Sequence, residues 1–158
     1  MPTVRDFMTK NVITIDAQKT VFEAAQLMSH KGTGDLVVMD GKTPVGIVTE
    51  RDFVRRVVAK REPLDTKISE IMTTPLWTVY VDAPLKEAAR KMVNKRIRRL
   101  PVIEKNELVG IITATDFARH LSKKTFFEEI REVIGHSPVP EVLENPSDPK
   151  NLTTSSDD

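Results

Sequence analysis

The chain is written twice. Met8-Thr9 recurs as Met72-Thr73, Thr14 as Thr78, and Glu23-Ala24-Ala25 as Glu87-Ala88-Ala89. Met28 recurs as Met92, Val45-Gly46-Ile47 as Val109-Gly110-Ile111, and Asp52-Phe53 as Asp116-Phe117. The offset is 64 residues throughout, without a gap, and sixteen of the 46 positions from Met8 to Phe53 are identical. Unrelated segments do not agree to that degree, so one structural unit is repeated. A unit this small cannot cover both its sheet and its helices. Two copies packed together can, and they leave two related clefts between them.

Each copy reads β-α-β-β-α, an α/β pattern. A β-branched segment comes first, Val12 to Ile15 and Trp77 to Val81. Val21, Ala24, Ala25 and Met28 then fall at helical spacing, as do Leu85, Ala88, Ala89 and Met92. Thr20 with Glu23 forms a capping box, and Pro84 sits in the first turn of the second copy. Two apolar runs follow, Leu36 to Met39 and Val45 to Thr49, joined by Asp40-Gly41, with Leu100 to Ile103 and Leu108 to Thr113 as their repeats. A final helix begins near Asp52 or Asp116, and its apolar positions predict burial of Phe53, Val54, Val57 and Val58, or of Phe117, Ala118 and Leu121. The expected organisation is repeat 1 over 3–62, repeat 2 over 67–122, a C-terminal helix over 123–136 and a flexible polar tail over 137–158. The two sheets pack on each other about a pseudo-twofold axis.

Composition narrows the chemistry. The 158 residues contain no cysteine, which excludes disulfides, thiolate metal sites and cysteine nucleophiles. No apolar run approaches the roughly 18 residues that span a bilayer, and the N-terminus lacks a signal-peptide core, so the expected location is cytoplasmic with no membrane contact. Residues 1–120 carry a net +5 and residues 121–158 a net −4. His30, His120 and His136 are scattered, and no metal-ligand spacing, Walker loop or Ser/His/Asp order accompanies them. Neither a catalytic nor a metal site is expected; the chain does not read as an enzyme.

The sharpest local pattern is Gly46-Ile47-Val48-Thr49-Glu50-Arg51-Asp52, repeated as Gly110-Ile111-Ile112-Thr113-Ala114-Thr115-Asp116. It places a hydroxyl at a strand end and a carboxylate three residues later. Thr-x-x-Asp is a helix cap, in which the acid is favoured by the helix dipole. It is equally a ligand site, in which the carboxylate accepts hydrogen bonds from a ribose diol while threonine and nearby amides hold sugar or phosphate oxygens. One residue can serve as both.

The whole pattern resembles a tandem pair of CBS domains, a Bateman module. The features that carry the resemblance are Met-Thr opening each unit, Glu-Ala-Ala-x-x-Met on the first helix, Arg98-Arg99-Leu100-Pro101-Val102, and Gly-Ile-Ile-Thr-x-x-Asp. It covers about residues 3–122. The resemblance implies a regulatory module that binds AMP, ADP or ATP, and in some members S-adenosylmethionine, in clefts between the repeats. It also implies a homodimer shaped as a flat disc and, as no effector domain is evident here, an effector protein supplied in trans.

Carried over to this sequence, the resemblance makes Asp52 and Asp116 the ribose-binding acids, with Thr49 and Thr113 as their companion hydroxyls. The Asp52 cleft is then completed by Thr78, Val79, Ile97, Arg98, Arg99 and Pro101. The Asp116 cleft is completed by Thr14, Ala17, Thr33, Gly34 and Asp35. The guanidinium groups of Arg98 and Arg99 suit phosphate, whereas Asp35 brings negative charge to the corresponding corner of the other cleft, so the Asp52 cleft is expected to bind nucleotide more strongly.

Two other readings use other residues. Arg90, Lys91, Lys95, Arg96, Arg98 and Arg99 form the densest basic run, and Arg51, Arg55, Arg56, Lys60 and Arg61 a second. Together they could touch a nucleic-acid backbone, although no recognition motif accompanies them. The alternative is an interaction or scaffold protein with vestigial clefts, docking through its acidic C-terminal segment.

Overall fold

A computed structural model describes residues 2–120, 128 and 131–133. The repeat becomes two three-stranded sheets of the same design. In the first, β1 (Thr14–Asp16) runs parallel to β2 (Asp35–Asp40), which pairs antiparallel with β3 (Thr43–Thr49). In the second, β4 (Val79–Tyr80), β5 (Arg99–Glu104) and β6 (Glu107–Thr113) pair in the same order and sense. The same irregularity interrupts both hairpins, at Val38/Met39 and at Val102/Ile103.

The helices follow the sequence cues. Between β1 and β2 lies α2 (Val21–Lys31), opened by the Thr20–Glu23 capping box and closed at Gly32 in the left-handed region. Its repeat is α5 (Leu85–Lys95), with Pro84 at the cap position and Arg96 as the left-handed closing residue. After β3 the chain turns through α3 (Glu50–Asp52) and a π-helical stretch over Phe53–Val58; after β6 it forms α6 (Ala114–His120). Only Val57 of the four apolar positions at the end of repeat 1 is buried; Phe53 is half-buried, and Val54 and Val58 are 62% and 71% exposed. The i→i+5 bonding explains this, because Ala59 N–H donates to Val54 O and Glu62 N–H to Val57 O, which rotates the 3.6-residue stripe off the core. In repeat 2, Phe117 is buried and Ala118 exposed, while Leu121 lies outside the described residues. Ala24, Ala88 and Ala89 are buried, but Ala25 is exposed.

Two short helices, α1 (Val4–Phe7) and α4 (Ile68–Ile71), lead into the repeats, and they exchange places. Val4 sits in the core of the second sheet with Leu85, Leu100 and Ile112, and Ile68 and Ile71 sit in the core of the first with Leu36 and Val48. Thr9 then bridges to Ile111 at the edge of β6, and Thr73 to Ile47 at the edge of β3. Gly46 and Gly110 allow that approach. A Cβ on Gly46 would stand 2.6 Å from Met72 sulfur and 3.1 Å from Thr73 O; on Gly110, 2.7 Å from Met8 sulfur and 2.9 Å from Thr9 O. The matched methionines are therefore packing partners of the matched glycines in the opposite repeat.

Of the expected C-terminal helix, Glu128 and residues 131–133 are helical; Glu132 pairs with Lys86, and Val133 packs against the second core. The rest of that helix and the expected tail lie outside the described residues. Among the described residues no helix is long and apolar enough to cross a membrane.

Candidate functional site

Both Thr-x-x-Asp motifs form caps. Thr49 N–H and Oγ1 donate to Asp52 Oδ2 at 2.9 and 3.2 Å, and Asp52 N–H returns a bond to Thr49 Oγ1. Thr113 and Asp116 repeat this geometry at 2.8 and 3.1 Å. Each carboxylate is buried, and each also bonds to the exchanged lead of the opposite repeat. Thr73 Oγ1 lies 2.9 Å from Asp52 Oδ1, and Thr9 Oγ1 lies 3.3 Å from Asp116 Oδ1. The sequence flagged Met-Thr only as the opening of each copy, so the reach of its hydroxyl across to the acid was missed. Spacing gave no signal for it, because the constant Thr-to-Asp interval pairs each threonine with the acid of its own copy, whereas the bonds run to the other copy.

Asp52 is more than a cap, because it lines a cavity of about 260 Å³ with Ile47, Thr49, Arg51, Thr73, Arg96, Ile97, Arg98 and Arg99. Five of these residues, Thr49, Asp52, Ile97, Arg98 and Arg99, are among those expected at this cleft. Ile47, Arg51, Thr73 and Arg96 are additions. Arg51 shares a turn with Asp52, and Arg96 directly precedes Ile97, so proximity in sequence could have pointed to both. The other three expected residues stand elsewhere. Thr78 accepts a hydrogen bond at its carbonyl from Lys91 Nζ, Val79 is buried in β4, and Pro101 is buried in β5 opposite Ile111.

The electrostatics of this cleft are one-sided. Arg56 places Nε 3.6 Å from Asp52 Oδ1 while its Nη1 donates to the carbonyls of Met72 and Ile71, so the acid has a local countercharge. Arg99 Nε donates to Asp35 Oδ2 at 2.7 Å. Lys91 is held at Thr78, and Lys95 lies 4.0 Å above the Trp77 ring, so much of the basic run is spent on structure. A carboxylate offers about four acceptor positions. Threonines occupy Oδ2 and one side of Oδ1, which leaves Oδ1 able to accept from a ligand hydroxyl.

Of the residues expected around Asp116, Thr14 and the Thr33–Gly34 pair line two different hollows. Thr14 lines a broad hollow of about 680 Å³ with Lys10, Asp16, Lys42 and Glu107. Thr33 and Gly34 line a groove of about 700 Å³ between α2 and the Asp52 helix, with Ala25, Ser29 and Val54. Ala17 is buried, its N–H donating to Met39 O and its carbonyl accepting from Ser69 N–H. Asp35, expected to bring negative charge to this cleft, is bonded to Arg99, which offsets that charge.

Comparison with known proteins agrees with this architecture. The CBS domain family model matches residues 4–59 and again 68–123. The CBS domain-containing protein YhcV of Bacillus subtilis is 36% identical over 118 residues, which cover 75% of this chain and 84% of that relative. A CBS domain protein from Pyrobaculum aerophilum, solved in complex with AMP, superposes with a TM-score of 0.72 at 28% identity, covering 83% of this chain and 99% of that one. The CBS domain pair of protein MJ0100, solved with 5′-methylthioadenosine and S-adenosyl-L-methionine, superposes at 0.67 with 30% identity, covering 75% and 94%. On both the repeated sequence and the paired sheets, the chain belongs to the CBS domain family and carries two of its domains.

Proposed function

We propose that this protein is a regulatory module, not an enzyme, that binds a phosphorylated adenine nucleotide (AMP, ADP or ATP) in the Asp52 cleft and signals to an effector protein in trans. The observation that carries this reading is the meeting, in one cavity, of a buried carboxylate with guanidinium groups of Arg51, Arg96 and Arg98 that form no ion pair among the described residues. Asp52 and its threonines suit a sugar diol, and the arginines suit the attached phosphate. The AMP complex of one relative and the adenosyl complexes of another support the choice of ligand. At about 260 Å³ the cavity falls just below the usual range of about 300–1,000 Å³ for ligand sites. Its arginine rim extends the charged surface beyond it.

The cleft draws on both repeats. Thr49, Arg51 and Asp52 come from the first, and Thr73, Arg96, Ile97 and Arg98 from the second. A ligand that bridges them favours one packing of the repeats over another, and that difference is what an effector can read. The Asp116 cleft is the weaker site, with S-adenosylmethionine as a secondary ligand candidate for the module. A second copy covers the helical face of repeat 1, where Phe22, Val54, Val58 and Leu64 are at least half exposed. The equivalent face of repeat 2 carries Lys86, already paired with Glu132.

A thermal-shift screen with AMP, ADP, ATP and S-adenosylmethionine tests the reading. A ligand at a hundredfold excess over its dissociation constant stabilises the fold by about 2.7 kcal/mol. No shift with any adenine nucleotide would contradict it.

A further inference from the structure

We propose that Arg51, Arg96 and Arg98 form a cradle for the outer phosphoryl groups of a nucleoside di- or triphosphate, so that the Asp52 cleft selects polyphosphates over monophosphates. The inference rests on the nucleotide reading of that cleft and adds its ligand class.

The first observation is charge left over. Among the described residues, Asp35 answers Arg99 and Arg56 answers Asp52, but no ion pair or side-chain hydrogen bond engages Arg51, Arg96 or Arg98. Three cations that form no ion pair among the described residues therefore line one small cavity, whose one lining carboxylate, Asp52, is already paired with Arg56. A single phosphate monoester brings a charge of about −1.5 to −2. Further phosphoryl groups bring the additional anionic oxygens that three bidentate guanidinium groups can hold.

The second observation is backbone strain. Arg96 closes α5 at φ 55°, in the left-handed region, where its counterpart in repeat 1 is Gly32 at φ 65°. Glycine occupies that region freely and arginine does not. Arg61 takes the same conformation at φ 54° away from the cavity, so what distinguishes Arg96 is that its strained position stands on the cavity wall.

The third observation is asymmetry between the repeats. At the offset of 64, Arg51 corresponds to Thr115, Arg96 to Gly32 and Arg98 to Gly34. These three arginines, unpaired among the described residues, line one cleft, and the other repeat has small or neutral residues at each position. The cradle is local to the Asp52 site and not a general feature of the repeat.

Calorimetric titration of the full chain with AMP, ADP, ATP and inorganic tripolyphosphate at fixed salt tests this. The expected result is ATP at least about tenfold tighter than AMP, with tripolyphosphate competing for the site. Converting the rim to the residues of the other repeat, in R51T/R96G/R98G, should bring the ATP-to-AMP ratio to within about twofold. R96G alone relieves the strained backbone, so it should raise the melting temperature without ligand while lowering that ratio; it keeps the test valid if the triple variant does not fold. Equal affinity for AMP and ATP in the unmodified protein would overturn the cradle and leave the nucleotide reading standing, as would a ratio unchanged by the substitutions. Absence of binding by every nucleotide would overturn both.

Discussion

Asp35 and Arg99 occupy the same position in the two repeats, and they bond to each other, Arg99 Nε to Asp35 Oδ2 at 2.7 Å. Equivalent residues can meet only near the axis that relates the halves. Identical charges there would repel, and the substitution of arginine for aspartate in one copy turns the contact into an attraction. The neighbouring backbone keeps the symmetry, since Gly34 O accepts from Glu50 N–H and Arg98 O from Ala114 N–H, each at 3.0 Å. One pair thus ties the two halves together and subtracts a cation from the Asp52 cleft.

Replacing Asp35 by Asn removes a carboxylate next to that cleft and frees the Arg99 charge. Nucleotide affinity should rise about fivefold, or about 1 kcal/mol, and the gain should shrink as salt is added. Unfolding stability should fall by about 1 kcal/mol or less, because the pair is only half-buried. Calorimetry at two salt concentrations, with chemical denaturation, measures both.

Gly110→Ala should destabilise the fold more than Gly46→Ala. Both added methyl groups meet a methionine sulfur that can swing aside, but the backbone oxygen behind it stands at 2.9 Å for Gly110 and 3.1 Å for Gly46. Overpacking of this kind costs about 1–3 kcal/mol. Urea midpoints of the two variants decide the order.

The exchange of leads predicts crossed effects. Val4→Ala should cost about 2 kcal/mol and loosen the amides of β5 and β6, although Val4 belongs to the first copy in sequence. Ile68→Ala should cost about 3 kcal/mol and loosen β2 and β3. Native-state hydrogen exchange separates the two patterns.

The repeat, the strand order and the Thr-x-x-Asp caps were legible in the sequence, because periodicity, turn residues and capping spacing are local signals. The exchange of α1 and α4 was not. Both copies open with Met-Thr and both hold Thr-x-x-Asp, so a bond from Thr9 to Asp52 and one from Thr9 to Asp116 look identical on paper. Only the path of the chain between the sheets distinguishes them. Val54 and Val58 misled because a π-helical stretch breaks the helical period on which their burial was predicted. At the site, Arg98 and Arg99 were recognised as basic residues entering a strand, but the fate of Arg99 depended on a partner 64 residues away. Arg96 could be valued only once its backbone conformation was known.

The nucleotide reading stands or falls on the buried Asp52 carboxylate. ATP titration into Asp52→Asn and Asp116→Asn is the sharpest test, because asparagine keeps the side-chain shape and one oxygen to accept from the Thr49 or Thr113 N–H while halving the acceptor surface. Binding should weaken at least about tenfold in Asp52→Asn and change within about threefold in Asp116→Asn. Unchanged affinity in Asp52→Asn, with binding lost in Asp116→Asn, would contradict it.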